Sequence, residues 1–440
     1  MNDFDQLPID PLSTASLARN GLRFDLVDTS NDESFGPWFH AIGRGFLDAR
    51  ATAEKVGQRR VTAVERRNSG VWDATIVEPL TPVATIAAWP TELTVPGHKS
   101  IPAWAISAVT VAPTHRRRGI ARELLTSELR TAKALGLPMA ILTVSESTIY
   151  GRWGFAPAAM TADWTIDTDR AKWVGPAVSG RVHFVEADRM LTEGHELVER
   201  VRLSTPGAIE FHGVLWERLL GIGAGSEERA KKLRFLRYDD ANGVAQGFAV
   251  YQVLSDPLPN GREKVQISFL VSATDDAYAA LWQLFFEMDL VGEVTAPLRS
   301  IEEPLRWQVS DFRALSKKQE RDHLWTRIID VPAVLTGRRY HSPGHLVLDV
   351  SDDLGYAAGR FLLTISSDGS AVVTTVDGDI PDDADAVALT VNELSAIYLG
   401  GVSPVTLAHA GRITELTPGA AAVVERSFRA VTTPWLSIWF

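Results

Sequence analysis

The sequence predicts an α/β protein with about three consecutive units. Its 440 residues are enough for two to four domains of ordinary size. Residues 109–155 follow the order strand, turn, helix, strand, helix, strand, which is typical of a mixed α/β fold. After residue 181 the strand–turn–helix order returns in weaker form, and a run of short strands begins beyond Trp325. These observations place the units at residues 1–180, 181–318 and 319–440.

The first unit is predicted to alternate strands with amphipathic helices. Residues 1–20 are expected to be a polar leader, and residues 22–27 alternate enough to make a first strand. Apolar residues then recur at helical spacing between Asp32 and Phe46, and a second, polar helix covers about residues 51–67. The strands that follow are β-branched or apolar runs: Val71–Val77, Val83–Trp89 and Ala103–Ala112.

The two later units are predicted from the same periodicities. In the second unit the helices are His195–Arg202, Val214–Leu220 and Asp275 to about Asp289, and the strands are Leu233–Tyr238, Val244–Val253 and Val265–Val271. A polar stretch, Pro304–Lys318, leads into the third unit. There the strands are Gly344–Val350, Gly359–Ile365 and Ala371–Thr375, and the helices are Val391–Gly400 and Pro404–Ala410.

Composition excludes several classes of protein. With 45% hydrophobic and 22% charged residues the chain can build a globular core, and no apolar run approaches the roughly 18 residues of a membrane span. The 44 basic and 55 acidic residues give a net charge of −11, which disfavours nucleic acid and tolerates a cationic partner. Disulfides and a thiol nucleophile are excluded because cysteine is absent. The acidic first residues lack a secretory signal, so we expect a cytoplasmic protein, with no metal and no membrane partner.

The strongest chemical signal is an arginine-rich turn between a strand and a helix. A β-branched strand at residues 109–111 is stopped by Pro113, and three arginines at 116–118 precede Gly119. The following helix carries an apolar stripe and ends at Gly136. Free N–H groups and the helix dipole attract an anion there, by about 0.3–1 kcal/mol at an exposed site. The spacing matches neither a P-loop nor G-x-G-x-x-G. A pyrophosphate is expected, against the alternative of a surface helix that happens to begin with arginines.

Two motifs resemble those of the GNAT N-acetyltransferases. Residues 116–121, Arg-x-x-Gly-x-Ala, resemble the R-x-x-G-x-G/A motif that binds the pyrophosphate of acetyl-CoA in that family. After the next predicted strand, Leu137–Val144, residues 150–155 resemble the family motif Tyr-x-x-x-Gly-Phe. The family tyrosine lies near the sulfur of CoA, where a phenol can protonate the departing thiolate. The alternative for Tyr150 is a tyrosine that only packs against its aromatic neighbours.

Over its whole length the chain resembles the enhanced intracellular survival (Eis) family of acetyltransferases. The resemblance rests on Val-Ala-Pro-Thr-His-Arg-Arg-Arg-Gly at 111–119, Ser-x-x-x-Ile-Tyr-Gly-Arg-x-Gly-Phe at 145–155, Tyr-Leu-Gly-Gly-Val at 398–402 and the aromatic Phe440. It implies a catalytic GNAT domain, a second GNAT-like domain without cofactor, a sterol-carrier-like α/β domain and a homohexamer. The acidic pair at 275–276, which would repel a pyrophosphate, agrees with a second domain that has lost its cofactor.

The same resemblance implies that the α-carboxylate of Phe440 is the general base and that Tyr150 is the general acid. Apart from Ser437, residues 434–440 are apolar or aromatic, so the tail is expected to be buried and to carry its carboxylate inward. Desolvation would raise the pKa of that carboxylate and make it a better base. The alternative is a hydrophobic last strand with an exposed carboxylate. The tryptophans of the tail are expected to wall the site, and the small Ala108 to leave room on the substrate side.

The resemblance also implies the binding residues. For acetyl-CoA they are Val109, Thr110, Val111, Arg116, Arg117, Arg118, Gly119, Ile120, Ala121, Arg122, Ser145 and Glu146. The family acetylates primary amines, so carboxylates and aromatics are expected around a cationic acceptor, with Asp32, Glu33 and Trp38 as candidates. An aminoglycoside acetylated at more than one position is predicted. Acetylation of protein lysine and a non-catalytic CoA- or lipid-binding protein are the alternatives.

Overall fold

A computed structural model describes residue 4 and residues 7–211, 213–222 and 227–440, which form two β-sheets with helices packed on them. The larger sheet has twelve strands and runs through the first two units, and the smaller sheet has five and belongs to the third. In these ranges no helix is long and apolar enough to cross a membrane. Most of the first residues, on which the expected lack of a secretory signal rests, lie outside the described residues.

The first unit supplies one half of the large sheet. Four strands pair antiparallel in chain order and a fifth joins them in parallel: β1 (Leu22–Leu26), β2 (Arg67–Asp73), β3 (Ala84–Val95), β4 (Lys99–Val111) and β5 (Met139–Thr143). A sixth strand, β6 (Ala156–Asp167), follows. The helices are α1 (Pro11–Ala18), α2 (Asp32–Gly45), α3 (Ala53–Ala63) and α4 (Ile120–Ala134). The apolar stripe of α4 and the faces of these strands bury one core cluster, which includes Leu124, Leu125 and Trp104.

The expectation of a polar leader is wrong for residues 11–18, which form α1. Asp10 caps this helix, since its carboxylate accepts a hydrogen bond from the backbone N–H of Ser13 at 2.8 Å. The same carboxylate accepts from Arg130 of α4 at 2.6 Å, and Leu17 is buried. A helix this short is stabilised by its tertiary contacts, and its apolar residues do not recur at helical spacing, so the sequence pattern does not predict it.

The second unit extends the large sheet with β7 (Arg181–Val185), β8 (Leu233–Asp239), β9 (Ala245–Val253), β10 (Glu263–Ser272) and β11 (Val291–Arg299). Its helices are α5 (Ala187–Arg189), α6 (His195–Arg202), α7 (Gly213–Leu220), α8 (Glu227–Ala230) and α9 (Asp275–Glu287). The parallel strands β10 and β11 are connected by α9, which repeats the β4–α4–β5 order of the first unit. Thr274 is the N-cap of α9, and two aspartates occupy its first turn. The first unit has its arginine-rich turn at the equivalent position, before α4.

A twelfth strand, β12 (Leu315–Ile328), joins the two halves of the large sheet. It lies between β5 and β6 and pairs antiparallel with both, which gives the order β1-β2-β3-β4-β5-β12-β6-β11-β10-β9-β8-β7. The strand runs across the expected boundary between residues 318 and 319. We therefore propose that the third unit begins near residue 329, because all residues of β12 share the hydrogen bonds of the large sheet.

The third unit is built on the small sheet, whose strand order is β15-β14-β13-β16-β17. Its strands are β13 (Gly344–Ser351), β14 (Gly359–Ile365), β15 (Ala371–Thr375), β16 (Asp385–Thr390) and β17 (Ile413–Glu415). Its helices are α10 (Val331–Gly337), α11 (Val391–Ile397), α12 (Pro404–His409) and α13 (Ala420–Phe428). Leu346 and Val387 of the sheet lie in one core cluster with Leu394 and Phe428 of the helices, so the helices cover an apolar face of the sheet.

Beyond α13 the chain returns to the large sheet as an irregular tail, residues 429–440. The backbone N–H of Trp435 donates to the carbonyl of Pro206 at 2.8 Å. Nε2–H of His323, in β12, donates to the carbonyl of Ile438 at 2.8 Å, and Leu436 is buried. Within the tail, Pro434, Leu436 and Ile438 are buried, whereas Val431 and Trp439 are exposed. The predicted burial therefore holds for alternate residues only, and the tail forms no strand.

Candidate active site

Strands β4 and β5 diverge at one end of the large sheet. Their parallel pairing ends at Ile106 opposite Leu142, although β4 continues to Val111. Backbone N–H and C=O groups on the open side of residues 107–111 therefore have no β5 partner. A gap of this kind offers backbone hydrogen bonds to an extended ligand.

A β-bulge bends β4 at the point of divergence. Ala108 and Val109 together face the single residue Ile86 of β3, and Ala108 has a positive φ of 53°. The hydroxyl of Thr85 donates to the carbonyl of Ala108 at 2.7 Å and lies 2.7 Å from the hydroxyl of Thr110. Because the Thr110 hydroxyl is engaged inside the protein, this residue can contact a ligand through its backbone only.

The arginine-rich turn leads into the N-terminus of α4. Gly119 precedes the helix with a φ of 78°, which favours glycine, and a Cβ built there would meet no atom within 4 Å. The first intrahelical hydrogen bond runs from the N–H of Glu123 to the carbonyl of Gly119, so the N–H groups of residues 120–122 have no partner within the helix. Open space, unpaired N–H groups and the positive end of the helix dipole suit a pyrophosphate.

The arginines of this turn differ in their surroundings. Arg118 interacts within the protein, 3.5 Å from the carboxylate of Asp73, and donates to the carbonyl of Asn20 at 3.2 Å. His115 also donates to Asp73. The hydrogen bonds from Thr75, and then the one from His115, hold the pKa of Asp73 well below its usual range. Three others are exposed and form no ion pair with the described residues: Arg116, Arg117 and Arg122.

Tyr150 opens a short 3-10 helix beyond β5. Its ring is buried against Phe155, with ring centroids 6.3 Å apart, and shares a core cluster with Ile120 of α4. Its hydroxyl has no hydrogen-bond partner in the described part of the chain. Burial, and then the nearby Glu146, raises the pKa of Tyr150 to about 12, so the phenol keeps its proton at neutral pH.

The third unit and β12 hold the turn that carries Tyr150. The side-chain amide of Asn392, in α11, donates to two carbonyls of the turn at 2.8 and 2.9 Å. Arg327 of β12 donates to a third carbonyl at 2.6 Å and to both carboxylate oxygens of Asp352 at 2.8 Å. Both side chains of this ion pair are buried, so the position of Tyr150 depends on the packing of β12 and the third unit against the first unit.

A cavity of about 460 Å³ opens beside the β-bulge. It is walled by α2, α3, α7, parts of β3 and β4 and the end of the tail, and its apolar lining includes Phe35, Trp38, Phe39, Trp89 and Trp439. Its volume is that of a site for a small molecule. Gly45, at the end of α2, approaches β4 so closely that a Cβ would lie 2.4 Å from the methyl carbon of Thr110, which fixes this wall against the bulge.

The tail brings Phe440 into the cavity. The Phe440 ring meets the Trp89 indole edge to face, with centroids 5.6 Å apart. The hydroxyl of Thr143, the last residue of β5, donates to an oxygen of the Phe440 α-carboxylate at 3.3 Å. Since β5 ends where the strands diverge, this carboxylate lies where the cavity meets the gap.

Of the three predicted substrate residues, Trp38 lines the cavity, while Asp32 and Glu33 do not. Trp38 is buried, and its indole N–H donates to the carbonyl of Ser69 at 2.9 Å. Asp32 and Glu33 are exposed in the first turn of α2, where carboxylates stabilise a helix start, and Asp32 accepts from Arg60 at 2.7 Å. The prediction that they line the acceptor pocket is therefore wrong for this structure, because both carboxylates lie at the exposed start of α2.

The two tail tryptophans face different sites. Trp439 lines the cavity and meets the ring of His323 with centroids 4.5 Å apart. Trp435 packs against the second unit instead, with the Arg299 guanidinium 4.7 Å from its ring and its indole N–H donating to the carbonyl of Leu298 at 2.7 Å. Only Trp439 therefore walls the cavity, because the tail passes the second unit before it reaches β5.

Sequence reasoning missed the cationic lining of the cavity, which consists of Lys55, Arg59, Arg66 and Arg218. The first two lie four residues apart on α3, which was the one available signal that they share a face. Nothing in the sequence brings α7 of the second unit beside α3 of the first. Among the described residues, no group of three or more histidine or acidic side chains could hold a metal ion.

Acid is expected to weaken the fold through His323. Burial lowers the pKa of His323 from 6.5 to about 4, so the unfolded chain takes up a proton first as the pH falls. The histidine's contribution is complete above pH 6.5 and is lost toward pH 4, which removes about 2 kcal/mol of unfolding free energy between about pH 7.5 and 5. Urea unfolding over this range should show a smaller pH slope for His323→Gln, whose amide can still donate to Ile438. Equal slopes would contradict this prediction.

Domain families match all three units. Residues 27–158 and residues 207–328 each match the acetyltransferase (GNAT) domain, and residues 331–437 match the sterol carrier protein domain. The expected fold of two GNAT-like domains followed by a sterol-carrier-like domain is therefore confirmed. GNAT acetyltransferases take their acetyl group from acetyl-CoA, so acetyl-CoA is the acyl donor of this enzyme.

Relatives match almost the full chain. A protein of Streptomyces avermitilis named as an uncharacterized N-acetyltransferase is 34% identical over 406 residues, which is 90% of this chain and 94% of the relative. The N-acetyltransferase Eis of Mycobacterium tuberculosis is 33% identical over 329 residues, 73% of this chain and 76% of the relative. The crystal structure of Eis1 from Mycobacterium abscessus superposes with a TM-score of 0.78 at 26% identity, over 95% of this chain and 100% of that one. The chain belongs to the Eis family of GNAT N-acetyltransferases.

Proposed function

We propose that this N-acetyltransferase acetylates a primary amine held in the cavity between α2, α3 and α7, with the Phe440 carboxylate as general base. One observation carries the proposal: that carboxylate lies at the end of β5, where the cavity meets the gap between β4 and β5. Acetyl-CoA supplies the thioester. The amine nitrogen bonds to the acetyl carbon and the carbon–sulfur bond breaks, while the amine loses a proton and the sulfur gains one.

The acyl donor is proposed to bind along the gap and the arginine-rich turn. Backbone groups of residues 109–111 would bind its extended arm, because they have no β5 partner. The N–H groups of residues 119–122 and the exposed guanidinium groups of Arg116, Arg117 and Arg122 would bind its pyrophosphate. Arg118 would act by holding the turn on Asp73. Ser145 and Glu146, exposed beyond β5, would contact the donor from the other side of the gap.

Phe440 and Tyr150 are proposed to move the protons. The Phe440 carboxylate would take the amine proton, directly or through a water molecule. Tyr150 would donate from its unpaired hydroxyl to the departing sulfur. A reference thiol has a pKa of about 8.5, well below that of Tyr150, so the phenol hydrogen-bonds the departing thiolate as the carbon–sulfur bond breaks. Any proton that Tyr150 passes to the sulfur is replaced from water.

Primary amines are the proposed acceptor class. Aminoglycosides acetylated at more than one position are the members that the family resemblance predicts, and protein lysine is the alternative. Asp48, Glu65 and the Phe440 carboxylate line the cavity and could receive an ammonium group. A homohexamer, a cytoplasmic location and the absence of nucleic-acid and membrane partners also remain predictions. A purely CoA- or lipid-binding protein is disfavoured, because both the anion-binding turn and Tyr150 are intact.

Steady-state release of CoA tests the proposal. A thiol-reactive dye reports CoA without interference from the protein, which has no cysteine. The acceptors are aminoglycosides, polyamines, lysine peptides and small aromatic amines, with the acetylated product identified by mass spectrometry. We expect release with at least one class of amine, matched by acetylated product. Tight binding of acetyl-CoA without release for any amine would contradict the proposal.

A further inference from the structure

The cavity that would hold the acceptor has more cationic than anionic side chains. Among the described residues, its charged lining consists of Lys55, Arg59, Arg66 and Arg218 against Asp48, Glu65 and the carboxylate of Phe440. With that last carboxylate occupied by the reacting amine, cations still outnumber anions among the described lining residues, even when Arg59, which has a further partner, is left out. This balance is the reverse of the carboxylate-lined pocket that a polycationic acceptor requires.

Arg66 lies beside the reactive end of the cavity. Its guanidinium carbon is 3.9 Å from the centre of the Trp89 ring, and the same ring contacts Phe440. A guanidinium stacked on an indole keeps its N–H groups, which point outward in its plane, available for a ligand. Within the described part of the chain, Arg66 forms no ion pair with any carboxylate.

Arg218 reaches the same cavity from α7 of the second unit, and its guanidinium has no hydrogen bond or ion pair among the described residues. Burial is the main cause that lowers the pKa of Arg218 to about 10, and the positive charge of Arg59 lowers it further. For Arg66 burial again comes first, followed by the charges of Arg218 and Arg59, and its pKa also falls to about 10. The guanidinium groups of Arg66 and Arg218 repel one another, and an anion between them would relieve this repulsion.

This arginine cluster is separate from the turn that would bind the pyrophosphate of the donor. None of residues 116–122 lines the cavity, whereas Ala108 and Phe440 at the reactive end do. An anion that meets Arg66 and Arg218 therefore arrives with the acceptor. Between the cations, Trp38, Phe39 and Trp439 offer apolar surface for the body of that molecule.

We infer that the preferred acceptor is a primary amine that also carries an anionic group, a carboxylate or a phosphate, bound by Arg66 and Arg218. This inference rests on the proposed acetyl transfer. The ammonium end would lie at the Phe440 carboxylate, and the anionic end would lie between the arginines of α7 and the turn after α3. The cluster thus selects among amines by the charge at their far end.

Four aromatic amines of one skeleton test the inference: phenethylamine, its para-carboxylate, its para-phosphate ester and its para-aminomethyl derivative. We expect kcat/KM for the carboxylate or the phosphate to exceed that for phenethylamine by roughly ten- to a hundredfold, the usual weight of a charge-assisted hydrogen bond. The para-aminomethyl derivative, which carries a second ammonium group, should have the lowest kcat/KM of the four amines. Comparing carboxylate with phosphate shows which anion is preferred.

Variants separate recognition from folding. Arg218→Gln should reduce the preference for the anionic amine over phenethylamine to about threefold or less, and Arg218→Lys should keep most of it, since the charge remains. Arg66→Gln is a second, independent variant and should also reduce the preference for the anionic amine over phenethylamine. Arg181→Gln, an exposed arginine at the start of β7, is the matched control and should leave all rates unchanged.

Calorimetric binding of the same amines to the CoA-bound enzyme separates this inference from the proposed function. Turnover of all four amines at similar kcat/KM would overturn the inference and leave the function standing. Selective binding of the anionic amines without turnover would support the arginine cluster as an anion site and contradict the proposed function. Loss of the preference in the Arg181→Gln control as well as in Arg218→Gln would overturn the assignment to the cavity.

Discussion

Replacing Tyr150 with phenylalanine should lower kcat by about a hundredfold or more, because the donor to the departing thiolate is lost. The ring of Tyr150 packs against Phe155, and its hydroxyl bonds to no described residue, so the substitution should leave the fold intact. The affinity for acetyl-CoA should change by about twofold at most, since the hydroxyl acts when charge develops on sulfur. Pre-steady-state CoA release and calorimetric binding of acetyl-CoA measure the two quantities separately.

A matched control is available in the second unit. Tyr251 is also buried, and Tyr251→Phe removes a hydroxyl far along the large sheet from the proposed site. This variant should turn over at the wild-type rate. The pKa of about 12 for Tyr150 adds a pH signature, since no alkaline loss of kcat should come from this phenol below about pH 11. A Tyr150→Phe enzyme with wild-type kcat would remove Tyr150 from the mechanism and leave it as a packing residue.

Adding one glycine after Phe440 should lower kcat/KM by about a hundredfold or more, a loss typical of removing a general base. The extension replaces the carboxylate at Thr143 with a neutral amide and pushes the new carboxylate away from the end of β5. Acetyl-CoA should still bind, because no residue of the arginine-rich turn lines the cavity that the tail closes at Phe440. The same CoA-release assay, with a saturating and a limiting amine concentration, gives kcat and kcat/KM.

The control for the extension keeps the carboxylate in place and changes the ring. Phe440→Leu removes the edge-to-face contact with Trp89 but leaves the α-carboxylate in reach of Thr143. It should lose less than about tenfold in kcat/KM, the cost of one partly buried aromatic contact. If Phe440→Leu were as damaging as the extension, the tail would act through packing rather than through its carboxylate.

The sequence was sufficient for the parts of the site that are local in the chain. The arginine-rich turn and the Tyr150 motif each occupy a dozen residues or fewer, so strand, turn and helix signals place their groups together without any knowledge of the fold. One residue of the turn differs from this local prediction. Arg118 belongs to the same run as Arg116 and Arg117, yet it interacts with Asp73, a contact that depends on the packing of β2 against the turn.

The acceptor cavity could not be predicted in the same way, because its walls come from distant segments. Arg66 and Arg218 are more than a hundred residues apart and meet only when α7 of the second unit packs beside α3. The prediction for Asp32 failed for a related reason, since a carboxylate in the first turn stabilises the helix start whether or not a ligand is near. The insertion of β12 between β5 and β6 is likewise a non-local pairing that strand periodicity does not specify.

Single-turnover acetyl transfer tests the central claim most directly. Enzyme loaded with isotopically labelled acetyl-CoA is mixed with the best amine from the panel, and acetylated amine and CoA are quantified by mass spectrometry over time. We predict equal amounts of the two products from the wild-type chain, and formation of both products at least about a hundredfold more slowly by the chain extended by one glycine, although that chain binds acetyl-CoA. Product formed at the wild-type rate by the extended chain would contradict a mechanism built on the Phe440 carboxylate.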